Sequence, residues 1–277
     1  MQYDEYGRQT SLSDPDAGTI HYSYNAFGEL TGQTDANLNT FEMVYDKAGR
    51  LLNKKCTRPD HNTVLTNTWH PANASAGSRG KLQKTEYTDE NSKYSLYEYT
   101  YNNLSQTTHT RITSDRIFNY FYTYDSKGRP DEYTYPTDLT IKNEYNPDNG
   151  TLKKVIDKST NTTIYEPGTY NARGQMMHFA MNNKSLYTTF DYDDFGLPTY
   201  RMTGQYYPTS NSIQYLQTNF DPSTGNLNWR KDLNRNLTEF FTYDEVHKNR
   251  LATWQVKWQQ QYSTTYNDVN GNILTKT

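Results

Sequence analysis

Tyr24-Asn25-Ala26-Phe27-Gly28-Glu29-Leu30 is followed, twenty-one residues on, by Tyr45-Asp46-Lys47-Ala48-Gly49-Arg50-Leu51. Tyr3-Asp4-Glu5-Tyr6-Gly7-Arg8 lies twenty-one residues before the first of them. A fixed period of this size signals a repeat architecture. The unit is a tyrosine, an acidic or amide residue, a few loop residues and a glycine. Tyr124-Asp125-Ser126-Lys127-Gly128-Arg129, Tyr170-Asn171-Ala172-Arg173-Gly174 and Tyr192-Asp193-Asp194-Phe195-Gly196 keep the short form. Tyr145-Asn146-Pro147-Asp148-Asn149-Gly150 and Phe220-Asp221-Pro222-Ser223-Thr224-Gly225 are one residue longer. Tyr243-Asp244 opens a copy in which Asn249-Arg250-Leu251 replaces the glycine, and Tyr266-Asn267-Asp268-Val269-Asn270-Gly271 comes last.

From Tyr124 onward successive starts are 21, 25, 22, 28, 23 and 23 residues apart, so loop length varies on a regular scaffold. The pattern degrades near 55–120. Trp69-His70-Pro71 stands in for a Tyr-Asp there, and Gly80-Lys81-Leu82 is its second half. The small, polar run Ala72–Ser78 between them reads as an inserted loop. Tyr101-Asn102-Asn103-Leu104 is a weak copy without its glycine. The chain reads as one array, 1–277, of about eleven to twelve repeats. It begins and ends in mid-pattern, which points to a segment of a larger protein.

Before each motif tyrosine, aromatic residues alternate: Tyr97, Tyr99, Tyr101; Tyr120, Tyr122, Tyr124; Phe41, Met43, Tyr45. Period two is a strand signal. The following Asp-x-x-Gly suits a type I turn, with the aspartate accepting from its own backbone and the glycine tolerating a left-handed conformation. Connections of this length make β-hairpins. The leucine after the turn then faces the tyrosine across the hairpin. The expected fold is all-β: a long, curved antiparallel sheet of tandem hairpins, with two strands per repeat. A sheet of so many strands must curl or split, since open twisted sheets rarely exceed ~10 strands. No long segment shows helical apolar spacing.

Leu, Ile, Val and Phe make up 43 of the 277 residues, a share below the ~20% at which disorder comes into question. Here 27 tyrosines take over as packing residues, burying ring area while the hydroxyl stays wet or hydrogen-bonded. A mean hydropathy of −1.07 suits a sheet with at least one large solvated face. Net charge is −3, without a basic stripe for nucleic acid. No apolar run approaches the ~18 residues of a membrane span, and no signal peptide precedes the first repeat. The single cysteine, Cys56, allows no intrachain disulfide.

The runs beginning at Tyr24 and Tyr45, together with the spacer Ser13-Asp14-Pro15-Asp16-Ala17-Gly18-Thr19, closely resemble the YD-repeat signature of the Rhs family. The resemblance covers essentially the whole chain and is weakest over 55–120. That family includes bacterial polymorphic toxins, components of insecticidal toxin complexes, wall-associated proteins and the animal teneurins. The resemblance implies a spiral β-sheet shell, which in the toxins encloses a C-terminal effector domain. It implies a non-catalytic segment of a secreted or surface protein. Its partners would be the rest of its own polypeptide, with no nucleic acid, no membrane and no cofactor. The C-terminal core motif and autoproteolytic aspartate of many bacterial members have no counterpart here, so Asp14-Pro15 and Asp221-Pro222 carry no protease role.

The remaining candidates for chemistry are weak. Six histidines (21, 61, 70, 109, 178, 247) lack metal-ligand or triad spacing. Lys54-Lys55 precede Cys56 and could lower a thiol pKa; the plainer reading is a tolerated free thiol on a strand. Asp268–Asn272 lacks the acidic ligands of a calcium loop. The motif aspartates are paired with turns, not with one another, so carboxylate-pair catalysis has no support. Trp229, Trp254 and Trp258 cluster late in the chain, and Tyr206-Tyr207 lies in a loop-like stretch. Such rings beside Asn and Gln could stack sugars, which makes a glycan- or cell-wall-binding module the alternative. Aromatic hairpin repeats of choline-binding and clostridial-toxin type offer the analogy. The six Asn-x-Ser/Thr sequons carry little weight without a eukaryotic secretory route.

Overall fold

The computed structural model describes residues 1–277 except 91–93, 206–211, 245, 247–248 and 269–270. His247, Tyr206-Tyr207 and the centre of the 268–272 loop therefore lie outside the described residues. The fold is all-β. Twenty-four strands, from Gln2–Tyr3 to Ile273–Lys276, are present among the described residues, with no helix. They fall into two compact units, Met1–Thr140 and Ile141–Thr277.

Within each unit every strand pairs antiparallel with the next in sequence. In the first unit Thr40–Tyr45 pairs with Leu51–Thr57, and that strand with Asn62–Trp69. In the second, Leu186–Tyr192 pairs with Pro198–Gly204, and that strand with Ser212–Phe220. This is a meander, the simplest product of short turns between alternating strands.

The alternation that marks the strands also shows why the interior is thin. Few apolar side chains are fully buried: Cys56 in the first unit, Ile156 and Ala180 in the second. Thr188, Thr189 and Thr203 are buried with them, and the Thr188 and Thr203 hydroxyls bond each other at 3.0 Å. Most tyrosines are half-buried, with rings packed side to side. Tyr133 contacts Tyr122 at 4.9 Å and Tyr135 at 4.4 Å between centroids, both edge to face. Burial and these neighbouring phenols push the Tyr133 hydroxyl up to about 12.

The motif turn and the contacts between repeats

Each short motif closes in one way. The Gly7 amide donates to the Asp4 carbonyl at 3.0 Å, and the Asp4 amide to the Arg8 carbonyl at 2.9 Å. Asp4 Oδ1 accepts from the amides of Tyr6 and Arg8, both at 2.9 Å. Gly7 has φ 77°, a left-handed conformation that costs an L-residue about 1–2 kcal/mol. Asn25/Gly28, Asp46/Gly49, Asp125/Gly128, Asn171/Gly174 and Asp193/Gly196 repeat the pattern. In the longer copies the glycine amide reaches one residue further back, from Gly150 to Asn146, Gly225 to Asp221 and Gly271 to Asn267. The degenerate copy at Tyr101 makes the same turn: Ser105 holds the glycine position at φ 63° and donates to Asn102 at 3.0 Å. Asp35–Asn39, on the opposite edge, is also such a turn, with Leu38 at φ 63°. Sequence reading misses it because no tyrosine precedes Asp35.

The register pairs Tyr24 with Leu30, Tyr45 with Leu51, Tyr145 with Leu152 and Tyr243 with Leu251. A one-residue shift precedes each of these tyrosines, as the glycine bulge requires. A backbone need follows. The ladder from Leu30–Thr34 to the next hairpin begins only at Gly32↔Glu42, which leaves the Leu30 carbonyl outside it. The Tyr45 hydroxyl donates to that carbonyl at 2.9 Å. Tyr24 does the same for Gln9 at 2.9 Å, Tyr101 for Leu82 at 2.7 Å and Tyr124 for Thr107 at 2.8 Å. In the second unit Tyr192 reaches Met176 at 3.1 Å, Tyr243 reaches Leu227 at 3.1 Å and Tyr266 reaches Leu251 at 2.9 Å. Where tryptophan replaces tyrosine, Trp69 Nε1 donates to Leu51 at 3.0 Å. Where phenylalanine does, at Phe220, the Thr218 hydroxyl two residues earlier takes the Pro198 carbonyl. A buried or half-buried carbonyl wants a donor, and the motif tyrosine supplies one from the following hairpin.

The residue after the glycine ties turn to turn. Arg8 Nε bonds Asp4 Oδ2 at 2.6 Å, while its Nη1 reaches the Asn25 carbonyl of the next turn at 2.9 Å. Its guanidinium lies 5.0 Å from the Tyr24 ring centroid. Arg50 sits likewise on Asp46 and 5.2 Å from Trp69, and Arg250 on Asp244 and 4.9 Å from Tyr266. Gln106 and Gln175 reach the carbonyls of Gly128 and Gly196, each at 2.8 Å. The Arg50 side-chain bond holds the Asp46 carboxyl below its ordinary value. Backbone and side-chain bonds from Arg129 do so for Asp125.

The other sequence candidates are dispersed. Trp229 pairs with Phe240 and Trp254 with the adjacent Phe241, so the two indoles lie on opposite faces of the strands. Trp254 bonds Glu239 at 3.2 Å and stacks on Tyr262 at 5.0 Å. Trp258 is in a turn, 90% exposed, beneath Lys257. The three do not share a platform. His109 stacks on Phe121 at 4.5 Å, and Cys56 is buried across from Phe41. No group of three His, Cys, Asp or Glu arranged to hold a metal ion occurs among the described residues.

A meander of glycine-bulged hairpins with aromatic cross-links defines a repeat-array wall as the class of fold. Residues 3–40 match the RHS Repeat family model. The chain is similar in fold to TcdB2-TccC3 without its hypervariable C-terminal region. In that comparison the TM-score is 0.68 and identity 15%, over 99% of this chain and 17% of that one. It is also similar to TcdB2-TccC3 itself (TM-score 0.66, 15% identity, 96% of this chain and 17% of that one). A third likeness is to the Photorhabdus luminescens Tc holotoxin pore carrying a TccC3 mutation (TM-score 0.67, 15% identity, 99% and 16%). The chain thus spans about a sixth of the length of these structures. No curated protein matches the sequence.

Proposed function

We propose that the chain is a non-catalytic wall segment of a larger secreted or surface-displayed RHS-type protein, enclosing or displaying an effector domain. The observation that carries this reading is the cross-linking just described. Polar and aromatic groups conspicuous in the sequence are committed to joining one hairpin to the next, and the same commitment recurs hairpin after hairpin. Tyr24, Tyr45, Tyr101, Tyr124, Tyr192, Tyr243 and Tyr266 bond carbonyls of the preceding hairpin, the motif aspartates bond their own turns, and Arg8, Arg50 and Arg250 bridge neighbouring turns. Such a design extends a wall and leaves its chemistry to whatever is attached. The likeness in fold to TcdB2-TccC3 supports the same reading. The partners are then adjacent repeats and an effector domain of the same polypeptide, in an extracellular or bacterial surface setting.

The test uses the full-length parent polypeptide. Its effector domain should resist added protease while this segment is intact and become sensitive when whole hairpins are deleted from it. Equal sensitivity in both forms would sink the enclosure reading. The alternative, a glycan- or cell-wall-binding module, rests on Trp258, the most open of the three tryptophan rings. It predicts glycan-array binding that Trp258→Ala removes.

A further inference from the structure

The cross-links obey a spacing rule with one exception. Among the described pairings the motif aromatic lies three residues past the outermost residue paired to the preceding hairpin. Tyr24 follows His21, Tyr45 follows Glu42, Tyr101 follows Glu98, and Tyr266 follows Ser263. The carbonyl it meets belongs to the residue paired with the previous motif aromatic, as with Gln9 opposite Tyr3 and Leu30 opposite Tyr24. Between Leu152–Asp157 and Thr162–Pro167 the outermost pair is Val155↔Tyr165. The rule puts the aromatic at position 168 and the acceptor at Leu152, which is opposite Tyr145. Position 168 is glycine, and Tyr170 falls two residues beyond it.

Gly168 cannot regain a side chain, because a Cβ there would lie 2.2 Å from the His178 ring. Toward Leu152–Asp157 a cleft of about 480 Å³ remains, lined by Leu152, Lys153, Tyr165, Glu166, Gly168 and Tyr170. Tyr170 is 54% exposed, and its hydroxyl has no hydrogen-bond partner among the described residues. Among the described residues the Tyr165 hydroxyl bonds only the Met176 thioether, at 3.5 Å, a weak acceptor. Glu166 is held by Lys184 at 3.0 Å, so the carboxylate of the cleft is already engaged.

We propose that this cleft binds an aromatic ring bearing a hydroxyl, a phenol. The ring sits between Tyr165 and Tyr170, and its hydroxyl donates to the Leu152 carbonyl, the peptide group shared with the Lys153 amide. The ligand then does from outside what a motif tyrosine does elsewhere in the array. The volume lies within the range of small-molecule sites. The same chemistry is offered by a free phenol and by a tyrosine side chain of another polypeptide. This inference is independent of the wall reading.

The test is an NMR titration of the whole chain with p-cresol, toluene and N-acetyltyrosinamide. p-Cresol should cause saturable shifts at the Lys153, Gly168 and Tyr170 amides. Toluene, which lacks the hydroxyl, should bind about fivefold more weakly. Tyr170→Ala should weaken p-cresol about tenfold and leave the unfolding midpoint unchanged, since Tyr170 is exposed and carries no cross-link. Tyr6→Ala, on a remote turn tip, should bind as wild type. Binding of N-acetyltyrosinamide as tight as p-cresol assigns the site to a polypeptide tyrosine; binding of p-cresol alone assigns it to a small phenol. Absence of saturable shifts with p-cresol, equal affinity for toluene, or indifference to Tyr170→Ala overturns the proposal.

Discussion

Thr218→Val isolates the energy of one inter-repeat cross-link. At Phe220 the aromatic has no hydroxyl, and Thr218 holds the Pro198 carbonyl in its stead. Valine keeps the shape and β-branching of threonine and removes only the donor. A typical hydrogen bond contributes about 1 kcal/mol net, and a carbonyl left without its donor costs about 1–3 kcal/mol when fully buried. Thr218 is half-buried, so water can partly replace the lost donor. The expected destabilisation is therefore about 1 kcal/mol. Phe220→Tyr on the Thr218→Val background should return most of it, because the spacing at Phe220 obeys the three-residue rule after Gln217. Phe220→Tyr alone should gain almost nothing, since the acceptor is already taken. Urea unfolding of the four proteins gives the coupling directly. Additive effects, with no recovery in the double variant, would refute the view that tyrosine serves that carbonyl.

Other outcomes follow from the same geometry. Gly168→Ala places a Cβ 2.2 Å from the His178 ring and 2.5 Å from its carbonyl oxygen; overpacking of this kind costs about 1–3 kcal/mol, read as a lower urea midpoint. Ser105→Gly removes a left-handed serine at φ 63° and should stabilise by about 0.5–1 kcal/mol after the entropy of glycine is subtracted. The Asp46 and Asp125 carboxyls lie below 3.8 in the fold. Their contribution is fully present above the unfolded value and is lost as pH falls through the folded one. The acid limb of the stability curve should thus start below about pH 4, and Asp46→Asn should flatten it. Tyr133 behaves in the opposite sense. Its hydroxyl is raised to about 12, so its contribution holds below the unfolded value near 10 and disappears as pH climbs through 12. Ultraviolet titration should find one phenol ionising two units late, and Tyr133→Phe should remove that step.

The hairpins were legible because their signals are local. Alternating aromatics, an Asp that accepts from its own turn and a Gly at φ > 0 act within a few residues of one another, so the sequence alone carries them. The cross-links were not, because they join residues 15 to 19 positions apart whose relation depends on register. One signal was available. Arg or Gln follows the glycine position in about half of the copies, at Arg8, Arg50, Gln106, Arg129, Gln175 and Arg250, and these are the residues that tie one turn to the next. Leu38 and Ser105 escaped notice because a left-handed L-residue leaves no compositional mark. The tryptophans look like a cluster in sequence, yet Trp229 and Trp254 part company on the sheet because their partners Phe240 and Phe241 are successive residues of one strand and face opposite ways.

The cross-links also have a direction. In each aromatic cross-link described above the donor belongs to the later hairpin and the acceptor to the earlier one, as with Tyr45 and Leu30 or Tyr266 and Leu251. A chain emerging from the ribosome in that order presents a waiting carbonyl before the tyrosine that will meet it has been made. An array extended from the amino end thus sets each new tyrosine against a carbonyl already in place.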